Sequence, residues 1–494
     1  MKHRITILLA AVLLTTLSLA THAEVEQANR NKPNIIVIYS DDLGLADIGK
    51  CPHGNDAQIP TPNCNRLIES GAMFTDAHSA SAVCTPSRYS LLTGRYSWRT
   101  WLKSWVVQEH MPLLIEQDRY TFGKMLQDFG YRTGVVGKWH LGWGDKIGEY
   151  KRGKLSPGPL ECGFDSSFVV PFSHNSTLPM RVFVRDRQIV GINPGEDIND
   201  KNVLKRAVRS LEDTASELSK AAVHFIKQNK DRPFFLYYPT TNVHFPVTPH
   251  KRFIGKSKRG KYGDFVVEFD WAVGEIIKTL DELGLTENTI LMVTSDNGSI
   301  ALASNPYYRG KKCSIYEGGH RIPLIVSWPA GIKQNLVIDE LMCQTDLMPT
   351  VADILGVTLP EGAAEDGVSI LPLLKGEKMT ASRKPVIHHD LIGRFAIRSG
   401  KWKLIEGTGE FSGLDWPGMA QSGEGKPVKL ENGQFEEVDF GLDVSSLVAA
   451  GAKWELYDLE NDPCETNNLW EKYPKVVKAL MELLNNARKK LPLH

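Results

Sequence analysis

Short apolar runs and amphipathic stretches alternate along the first three quarters of the chain. Strands are predicted for five runs rich in β-branched and aromatic residues, at 35–39, 132–136, 234–238, 289–294 and 324–327. Between them, apolar residues recur at helical spacing, as at 218–226 and 269–280. Strands that are apolar on both faces and separated by helices predict an α/β/α sandwich with a large, mostly parallel sheet. Ligands of such sheets bind at the carboxyl ends of the strands.

The pattern changes after about Gly376. The later segments predict a hairpin of two strands, a further strand and a final amphipathic helix, at 395–398, 402–405, 454–458 and from Pro474 onwards. The stretch from Gly407 to Gln434 is rich in Gly and Glu and is predicted to be a surface loop. We therefore expect a main domain over 33–376 and a small C-terminal α+β domain with an antiparallel sheet over 377–494.

The first 23 residues have the layout of a secretory signal peptide. Lys2 and Arg4 precede an apolar run from Ile5 to Ala20, and a small-residue cleavage site ends at Ala23. The alternative is an uncleaved membrane anchor, for which the run is short. No later segment resembles this run, so we expect a secreted or periplasmic protein without a membrane span after cleavage.

Charge and cysteine content narrow the function classes. The chain carries 58 Lys and Arg against 58 Asp and Glu, which argues against the basic surface of a nucleic-acid-binding protein. A charged substrate must then meet a local cluster of charges. Seven cysteines in 494 residues do not make a disulfide scaffold, and none lies in a CxxC pair that would indicate structural zinc.

Polar clusters follow two of the predicted strands. Asp41 and Asp42 come after the first strand, and Asp296 and Asn297 after the strand that ends at Thr294. Each cluster alone is typical of a turn or a helix cap. Adjacent carboxylates repel each other unless a cation lies between them, and carboxylate and amide oxygens suit Ca²⁺ or Mg²⁺. Together the clusters favour a divalent-cation site.

A third cluster carries a family resemblance. Cys84-Thr85-Pro86-Ser87-Arg88, followed by Leu91-Leu92-Thr93-Gly94-Arg95, resembles the signature of the type I sulfatases of the alkaline-phosphatase-like superfamily. Other blocks resembling that family follow in order, at Gly137-Lys138-Trp139-His140, Asn242-Val243-His244, Asp296-Asn297-Gly298, Lys312 and Tyr316-Glu317-Gly318-Gly319. The resemblance implies that a formylglycine-generating or equivalent maturation enzyme oxidises Cys84 to formylglycine.

The resemblance also implies a role for each matched residue. One Ca²⁺ would be held by Asp41, Asp42, Asp296, Asn297 and the modified Cys84. Arg88 would hold residue 84 and the neighbouring carboxylates. The other implied roles are sulfate binding by Lys138 and Lys312, proton removal from residue 84 by His140, and protonation of the leaving oxygen by His244. Two hydroxyls on the hydrated aldehyde would provide one group that attacks sulfur and one that later expels sulfate. Lys138 and His140 are two residues apart, so an extended segment would point both to one side.

Residues that contact the rest of the substrate are harder to predict. Candidates are polar and aromatic side chains near the motifs, namely His53, Asn55, Arg99, Trp101, Lys103, Trp105, His174, Asn175, Arg309 and His320. The 99–105 segment interleaves aromatic and basic residues, which suits an anionic sugar through stacking and ion pairing. The alternative is a segment whose tryptophans pack inwards.

The sequence thus predicts an exported, calcium-dependent sulfatase, with a sulfated carbohydrate as its leading substrate. Two hypotheses remain beside it. One is a broad aryl-sulfate or phosphonate esterase with the same machinery. The other is a non-catalytic protein that binds sulfated glycans and keeps Cys84 unmodified.

Overall fold

The computed structural model describes residues 32–177, 179–300, 307–379, 383–407 and 454–489, and the backbone of two strands at 426–429 and 435–439. The predicted signal peptide lies outside these residues. Within them, no helix is long and apolar enough to cross a membrane. All seven cysteines are unpaired.

The strands are labelled in chain order. They are β1 (Asn34–Ser40), β2 (Ala72–Phe74), β3 (Ala77–His78), β4 (Arg132–Lys138), β5 (Ser166–Val170), β6 (Val184–Arg185), β7 (Gln188–Ile189), β8 (Phe234–Pro239), β9 (Thr289–Ser295), β10 (Leu324–Ser327), β11 (Leu336–Ile338), β12 (Met342–Cys343), β13 (Val386–His389), β14 (Phe395–Ser399), β15 (Trp402–Ile405), β16 (Lys426–Lys429), β17 (Phe435–Asp439) and β18 (Glu455–Asp458).

The α-helices of the described residues follow the same scheme. They are α1 (Pro62–Ser70), α2 (Cys84–Thr93), α3 (Phe122–Asp128), α4 (Lys201–Ala207), α5 (Thr214–Asn229), α6 (Gly260–Leu283), α7 (Glu317–His320), α8 (Leu347–Ile354), α9 (Leu371–Leu374) and α10 (Pro474–Lys489). Short 3₁₀ turns lie at Leu45–Asp47, Ser97–Arg99, Tyr150–Arg152, Pro159–Cys162, Lys251–Phe253 and Gln344–Asp346.

Ten strands form one sheet in the order β11-β2-β10-β9-β1-β8-β4-β5-β6-β7. Its centre is parallel, with β1 between β8 and β9, and β8 followed by β4 and β5. The strands β10, β6 and β7 pair antiparallel to their neighbours. All five strands predicted from the apolar runs are present, and the predicted large, mostly parallel sheet is confirmed. The carboxyl ends of β1, β4, β8 and β9 consequently meet at one edge.

The core lies on both faces of this sheet. Along β1, Ile35, Val37 and Tyr39 join a cluster on one face that includes residues of α2, α3 and α8. Ile36 and Ile38 point to the opposite face, against residues of α1, α5 and α6. This alternation explains why the strand is apolar throughout, since both of its faces are covered by helices.

A second, antiparallel sheet has the order β13-β14-β15-β18. Helix α10 lays Val477, Leu480 and Leu484 against it, and the three side chains are buried. The predicted hairpin, further strand and final helix are therefore present. The domain boundary near Gly376 remains a prediction. Within the predicted loop 407–434, the backbone of β16 forms a strand that pairs with β17, so the loop prediction is wrong at 426–429. Most of the rest of this stretch lies outside the described residues.

Candidate active site

Four oxygen-bearing side chains meet at the ends of β1 and β9. The two strands pair in register up to Ser40 and Ser295, so the residues that follow them are side by side. Asp296 Oδ1 accepts from the backbone N–H of Asp42 at 3.0 Å, and Asn297 Nδ2 donates to Asp42 Oδ1 at 2.8 Å. Asp41, Asp42, Asp296 and Asn297 are all fully buried. Asp42 reaches this place through a left-handed backbone with a φ of +67°, which aspartate tolerates better than most residues.

This oxygen set fits a hard divalent cation. Three buried carboxylates lie together, and the free amide oxygen of Asn297, Oδ1, is buried without a hydrogen-bond partner. A buried oxygen without a donor costs free energy unless a cation or water satisfies it. Carboxylate oxygens of Asp41 and Asp42 also lie within 4.8 Å of a ring nitrogen of His244. The donors are those that Ca²⁺ and Mg²⁺ prefer.

Three cationic side chains neutralise the carboxylates. Arg88 donates from Nη2 to Asp296 Oδ2 at 2.7 Å and lies 3.4 Å from Asp41 Oδ1. The ammonium groups of Lys138 and Lys312 contact Asp41 and Asp42 at 2.8 and 2.7 Å. Burial disfavours the charged forms of Arg88 and Lys312, but the carboxylates outweigh this cost and raise the pKa of both side chains. Three positive charges therefore balance three negative ones, and a bound divalent cation would leave the site positive.

Residue 84 lies at the first position of α2, where unpaired backbone N–H groups favour a negative charge. The thiol of Cys84 takes the place of the two hydroxyl groups that a hydrated formylglycine would carry at this position. Cys84 Sγ is 3.2 Å from Nδ1 of His140, while Thr85 Oγ1 donates to the His140 carbonyl at 2.9 Å. Burial raises the pKa of the Cys84 thiol. Burial and the nearby cations, Lys138 first among them, hold the pKa of His140 well below its usual range, so His140 is neutral and able to accept a proton.

The Lys-x-His segment does not have the extended geometry predicted for it. Strand β4 ends at Lys138, and His140 has a φ of +56°, so the alternation of an extended chain does not apply to the pair. Lys138 turns to Asp41, whereas His140 turns to Cys84. Gly137 allows the end of β4 to lie this close to β8, because a Cβ atom at position 137 would be 1.7 Å from the Pro239 carbonyl oxygen.

His244 lies in the loop after β8 and lines the same cavity as His140. Its Nε2 is 3.3 Å from Ser173 Oγ and 3.8 Å from Asp42 Oδ2. Burial and the charge of Lys312 lower the pKa of His244 well below its usual value. Near the loop's start, the carbonyl of Asn242 accepts from the Asp41 N–H at 2.7 Å, so the loop and the metal-site strand are held together.

Glu268 of α6 supports this loop from behind. Its side chain is buried, and burial raises its pKa to about 8. Oε2 accepts from the His250 N–H at 3.2 Å, while Oε1 and the nearby Asn242 Oδ1 have no hydrogen-bond partner. Burial outweighs the charge of Arg252 and the hydrogen bonds of His250 and Asn242, which lower this pKa, so the carboxyl group of Glu268 is mostly protonated at neutral pH.

A cavity of about 670 Å³ opens over residue 84. Asp42, Cys84, His140, His244 and Lys312 line its floor. Its walls are mostly apolar, with a few polar groups, and consist of Val83, Trp105, Val106, Val107, Gln108, Glu109, Phe172, Ser173, Asn175, Ser176, Thr177, Phe245, Ile300, Cys313 and Leu391. Such a cavity, with polar groups converging at one end, is typical of a small-molecule site.

Most of the predicted substrate residues lie elsewhere. Trp105 and Asn175 line the cavity, but the seven side chains His53, Arg99, Trp101, Lys103, His174, Arg309 and His320 are not among its lining residues, and neither is Asn55. Each of the seven has another environment. Arg99 forms a bidentate pair with Asp366 at 2.7 and 2.8 Å, and Trp101 packs against the core. Their substrate role remains a prediction, and the fold, which local composition does not reveal, determines what these residues contact.

The remaining five are held by specific partners. Lys103 donates to the Trp98 carbonyl at 3.1 Å, and His53 stacks on Tyr307 with ring centroids 3.2 Å apart. His174 is buried with Nε2 at 2.9 Å from Thr248 Oγ1. The last two connect to the antiparallel sheet, with Arg309 donating to Tyr457 of β18 and the His320 ring stacking on His388 of β13.

Two wall segments, 106–109 and 172–177, contribute lining residues that the sequence did not predict, apart from Asn175. The second follows β5, whose short run Ser166–Val170 was not recognised as a strand although it is apolar at its end. Had it been recognised, the rule that ligands gather at carboxyl ends of parallel strands would have placed 172–177 at this edge. The first segment carries no periodic signal.

Comparisons with known proteins agree with this arrangement. Residues 33–357 match the family described as Sulfatase, and residues 308–411 match the one described as N-sulphoglucosamine sulphohydrolase, C-terminal. An N-acetylgalactosamine-6-O-sulfatase of Bacteroides thetaiotaomicron is 35% identical over 93% of this chain and 94% of its own length. Human steryl-sulfatase is 30% identical over 95% of this chain and 90% of its own.

A solved structure is also similar. It comes from work on the metabolism of multiple glycosaminoglycans by Bacteroides thetaiotaomicron, and it superposes with a TM-score of 0.78 at 34% identity. The match covers 93% of this chain and all of the other. The similarity therefore extends across both sheets and is not confined to the motif around residue 84.

Proposed function

The chain belongs to the sulfatase family and is a sulfuric ester hydrolase, and on that premise we propose that it removes sulfate from a sulfated carbohydrate through a formylglycine at position 84 and a bound Ca²⁺. The observation that carries this proposal is the convergence of Cys84, His140, His244 and Lys312 with a buried carboxylate cluster at one end of a single cavity. The matched family supplies the reaction class.

Two groups would supply the special chemistry. Asp41, Asp42, Asp296 and Asn297 would hold the cation, which acidifies a coordinated hydroxyl and polarises the sulfuryl oxygens when bound. A hydrated aldehyde at position 84 supplies two hydroxyls on one carbon, one to attack sulfur and one to expel sulfate. All other steps belong to side chains of this chain.

Lys138 and Lys312 bind the anionic end of the substrate. Both ammonium groups donate to carboxylates that would hold the cation, Lys138 to Asp41 and Lys312 to Asp42, and a cation on those carboxylates would leave the ammonium groups available to sulfate oxygens. His140, neutral and 3.2 Å from residue 84, takes a proton from a hydroxyl there. His244 protonates the leaving oxygen. Burial and the two lysines lower its pKa, and the negative charge of a bound sulfate would oppose the effect of the lysines.

A carbohydrate is the favoured substrate class for two reasons. The Bacteroides relative that matches nearly the whole chain is named for an N-acetylgalactosamine sulfate. The cavity wall also offers neutral hydrogen-bonding side chains, including Gln108, Asn175 and Thr177, which suit sugar hydroxyls. Export, proposed from residues 1–23, would bring the enzyme to extracellular polysaccharides.

An aryl or steryl sulfate is the second candidate. It is favoured by the apolar side chains of the same wall, among them Trp105, Phe172, Phe245 and Leu391, and by the 30% identity to steryl-sulfatase. A phenol leaves more readily than a sugar hydroxyl, so an aryl sulfate would depend less on His244.

A substrate panel tests the proposal. Sulfated monosaccharides, sulfated disaccharides, an aryl sulfate and a phosphonate monoester are assayed with Ca²⁺ and with chelator. We expect calcium-dependent sulfate release from a sulfated sugar, and turnover of only the aryl ester would contradict the carbohydrate assignment. Peptide mass spectrometry accompanies the panel, because formylglycine makes the peptide with residue 84 about 18 Da lighter. A full-mass peptide without any sulfate release would favour a glycan-binding protein instead.

A further inference from the structure

A second cavity of about 620 Å³ adjoins the one over residue 84. Four lining residues are shared between the two cavities, namely Asn175, Ser176, Thr177 and Phe245. The second cavity continues from them along Arg181, Val208, Leu211 and Pro246. The shared residues make the two cavities neighbours, so the second one lies where a chain extending from a sugar in the first would pass.

Exposed apolar surface marks the boundary of this groove. Phe245 is 64% exposed and Val208 is 36% exposed, although both are large hydrophobic side chains. Phe245 directly follows His244, so its ring stands between the reacting end and the second cavity. An exposed aromatic ring that lines two neighbouring cavities offers a flat apolar face to a ligand such as a sugar ring.

Arg181 gives the groove its charge, and the buried Arg209 lies behind it. Arg181, half-buried, donates from Nε to the Arg209 carbonyl at 3.2 Å, and Arg209 itself is buried. Among the residues that the structure describes, neither guanidinium lies within ion-pairing distance of a carboxylate. Arg209 bonds only to uncharged groups, including the His174 carbonyl at 2.8 Å, and its Nε has no hydrogen-bond partner. Burial first, and then the charge of Arg181, lower the pKa of Arg209 to about 9.

Two uncompensated cations beside each other favour an anion. Buried or half-buried arginines are usually paired, and a planar carboxylate or sulfate matches the donor fork of Arg181. The groove therefore combines a stacking surface, neutral hydrogen-bonding groups and a cationic end.

We propose that this groove, defined by Asn175, Thr177, Arg181, Val208, Phe245 and Pro246, is a second sugar subsite that binds the neighbouring residue of a glycan chain through an oxyanion on Arg181. The proposal rests on the proposed carbohydrate sulfatase function and adds that the substrate is an anionic oligosaccharide. The oxyanion has two possible sources, a uronate carboxylate or a second sulfate ester.

Arg181→Gln tests the subsite by removing the charge and leaving the backbone N–H bond to the Thr177 carbonyl possible. The substrates are three disaccharides with the same sulfated sugar, whose neighbour is a uronate, a sulfated hexose or the carboxyl-reduced neutral hexose. We expect the wild type to prefer an anionic neighbour over the neutral one by about tenfold in kcat/KM, and the variant to lose this preference. The disaccharide that the wild type prefers shows whether the oxyanion on Arg181 is a uronate carboxylate or a sulfate ester.

Arg185→Gln is the matched control, since Arg185 is exposed and stacks on Phe168 outside the groove. The control should keep the wild-type ratio. An equal loss on all three disaccharides in Arg181→Gln, or a wild type without any preference, would overturn the subsite. Calorimetric titration needs no turnover. It uses the disaccharide whose anionic neighbour the wild type prefers, without the sulfate that the enzyme removes, and we expect binding to weaken about tenfold in Arg181→Gln. Unchanged binding there also contradicts the subsite, whereas a wild type that hydrolyses no sulfated sugar contradicts the proposed function.

Discussion

Replacing Arg88 with glutamine tests both the buried ion pairs and the proposed metal ligands. Arg88 is fully buried, and its guanidinium contacts Asp296 Oδ2 at 2.7 and 3.1 Å and Asp41 Oδ1 at 3.4 Å. Glutamine leaves these carboxylates buried with one cation fewer. Removing one partner of a buried ion pair costs about 3–5 kcal/mol, so we expect Arg88→Gln to lower the free energy of unfolding by about 4 kcal/mol in chelator.

Calcium should reduce this loss. A cation held by Asp41 and Asp296 replaces part of the missing positive charge, and it binds the variant more tightly because Arg88 no longer repels it. We expect the stability gap to narrow by about 1.4 kcal/mol or more at saturating Ca²⁺, which corresponds to about tenfold tighter binding. Urea unfolding with Ca²⁺ and with chelator measures the gap, and calorimetric titration of the folded apoprotein measures the affinity. The narrowing of the stability gap and the gain in Ca²⁺ affinity report the same free energy, so the two measurements must agree.

Arg99→Gln provides the matched control. Arg99 is also buried at its side chain and pairs with Asp366 at 2.7 Å, away from the carboxylate cluster. This variant should lose a similar free energy of unfolding in calcium and in chelator. If Arg88→Gln is equally destabilised in both conditions, Asp41 and Asp296 are not the metal ligands. A loss below about 0.5 kcal/mol would refute the reasoning about buried charge.

Three other predictions concern single residues of the site and its support. Cys84→Ala should abolish sulfate release while the urea midpoint stays near that of the wild type, since a small side chain disturbs only the site; retained turnover would exclude the nucleophile. His244→Ala should slow sugar sulfates by about 10²–10⁴-fold and a nitrophenyl sulfate far less, because only the sugar oxygen needs a proton to leave; equal losses would contradict the general acid. Glu268, with a folded pKa of about 8, keeps its proton where the unfolded chain has released it, so its contribution to stability falls as pH rises from about 4.5 to 8. The free energy of unfolding of Glu268→Gln, relative to that of the wild type, should therefore rise by about 3 kcal/mol between pH 5 and 8. A difference that stays constant with pH would show that Glu268 is ionised in the folded protein.

The sheet and its helices could be predicted because their signals are local. Continuous apolar runs such as 35–39 and 289–294 can be buried only between two helical layers, and the structure has them adjacent and parallel. Because the strands were predicted to be parallel, the residues after Ser40 and after Ser295 were expected at one edge of the sheet. The motif around Cys84 added the reaction class, because its residue types and spacing are long and specific.

The substrate walls could not be predicted in the same way. Arg99 and His320 have the composition of binding residues, but one pairs with Asp366 and the other stacks on His388. Whether a polar side chain faces a ligand or another part of the protein depends on neighbours distant in sequence. The two-residue spacing of Lys138 and His140 predicted an extended segment, and this was wrong, because His140 reaches Cys84 through a left-handed backbone.

The sequence by itself therefore determined the sheet, the family and the residues around the reacting centre, since periodicity and a contiguous motif are encoded locally. Only the tertiary structure decided what lies beyond the sulfate. The second cavity arises where the loops after β5 and β8 meet the segment at 208–211, and its charge comes from Arg181, whose Nε donates to the carbonyl of Arg209, 28 residues away in the chain. Neither local sequence indicates that these guanidinium groups meet no carboxylate among the described residues, because that depends on which side chains the fold brings to them.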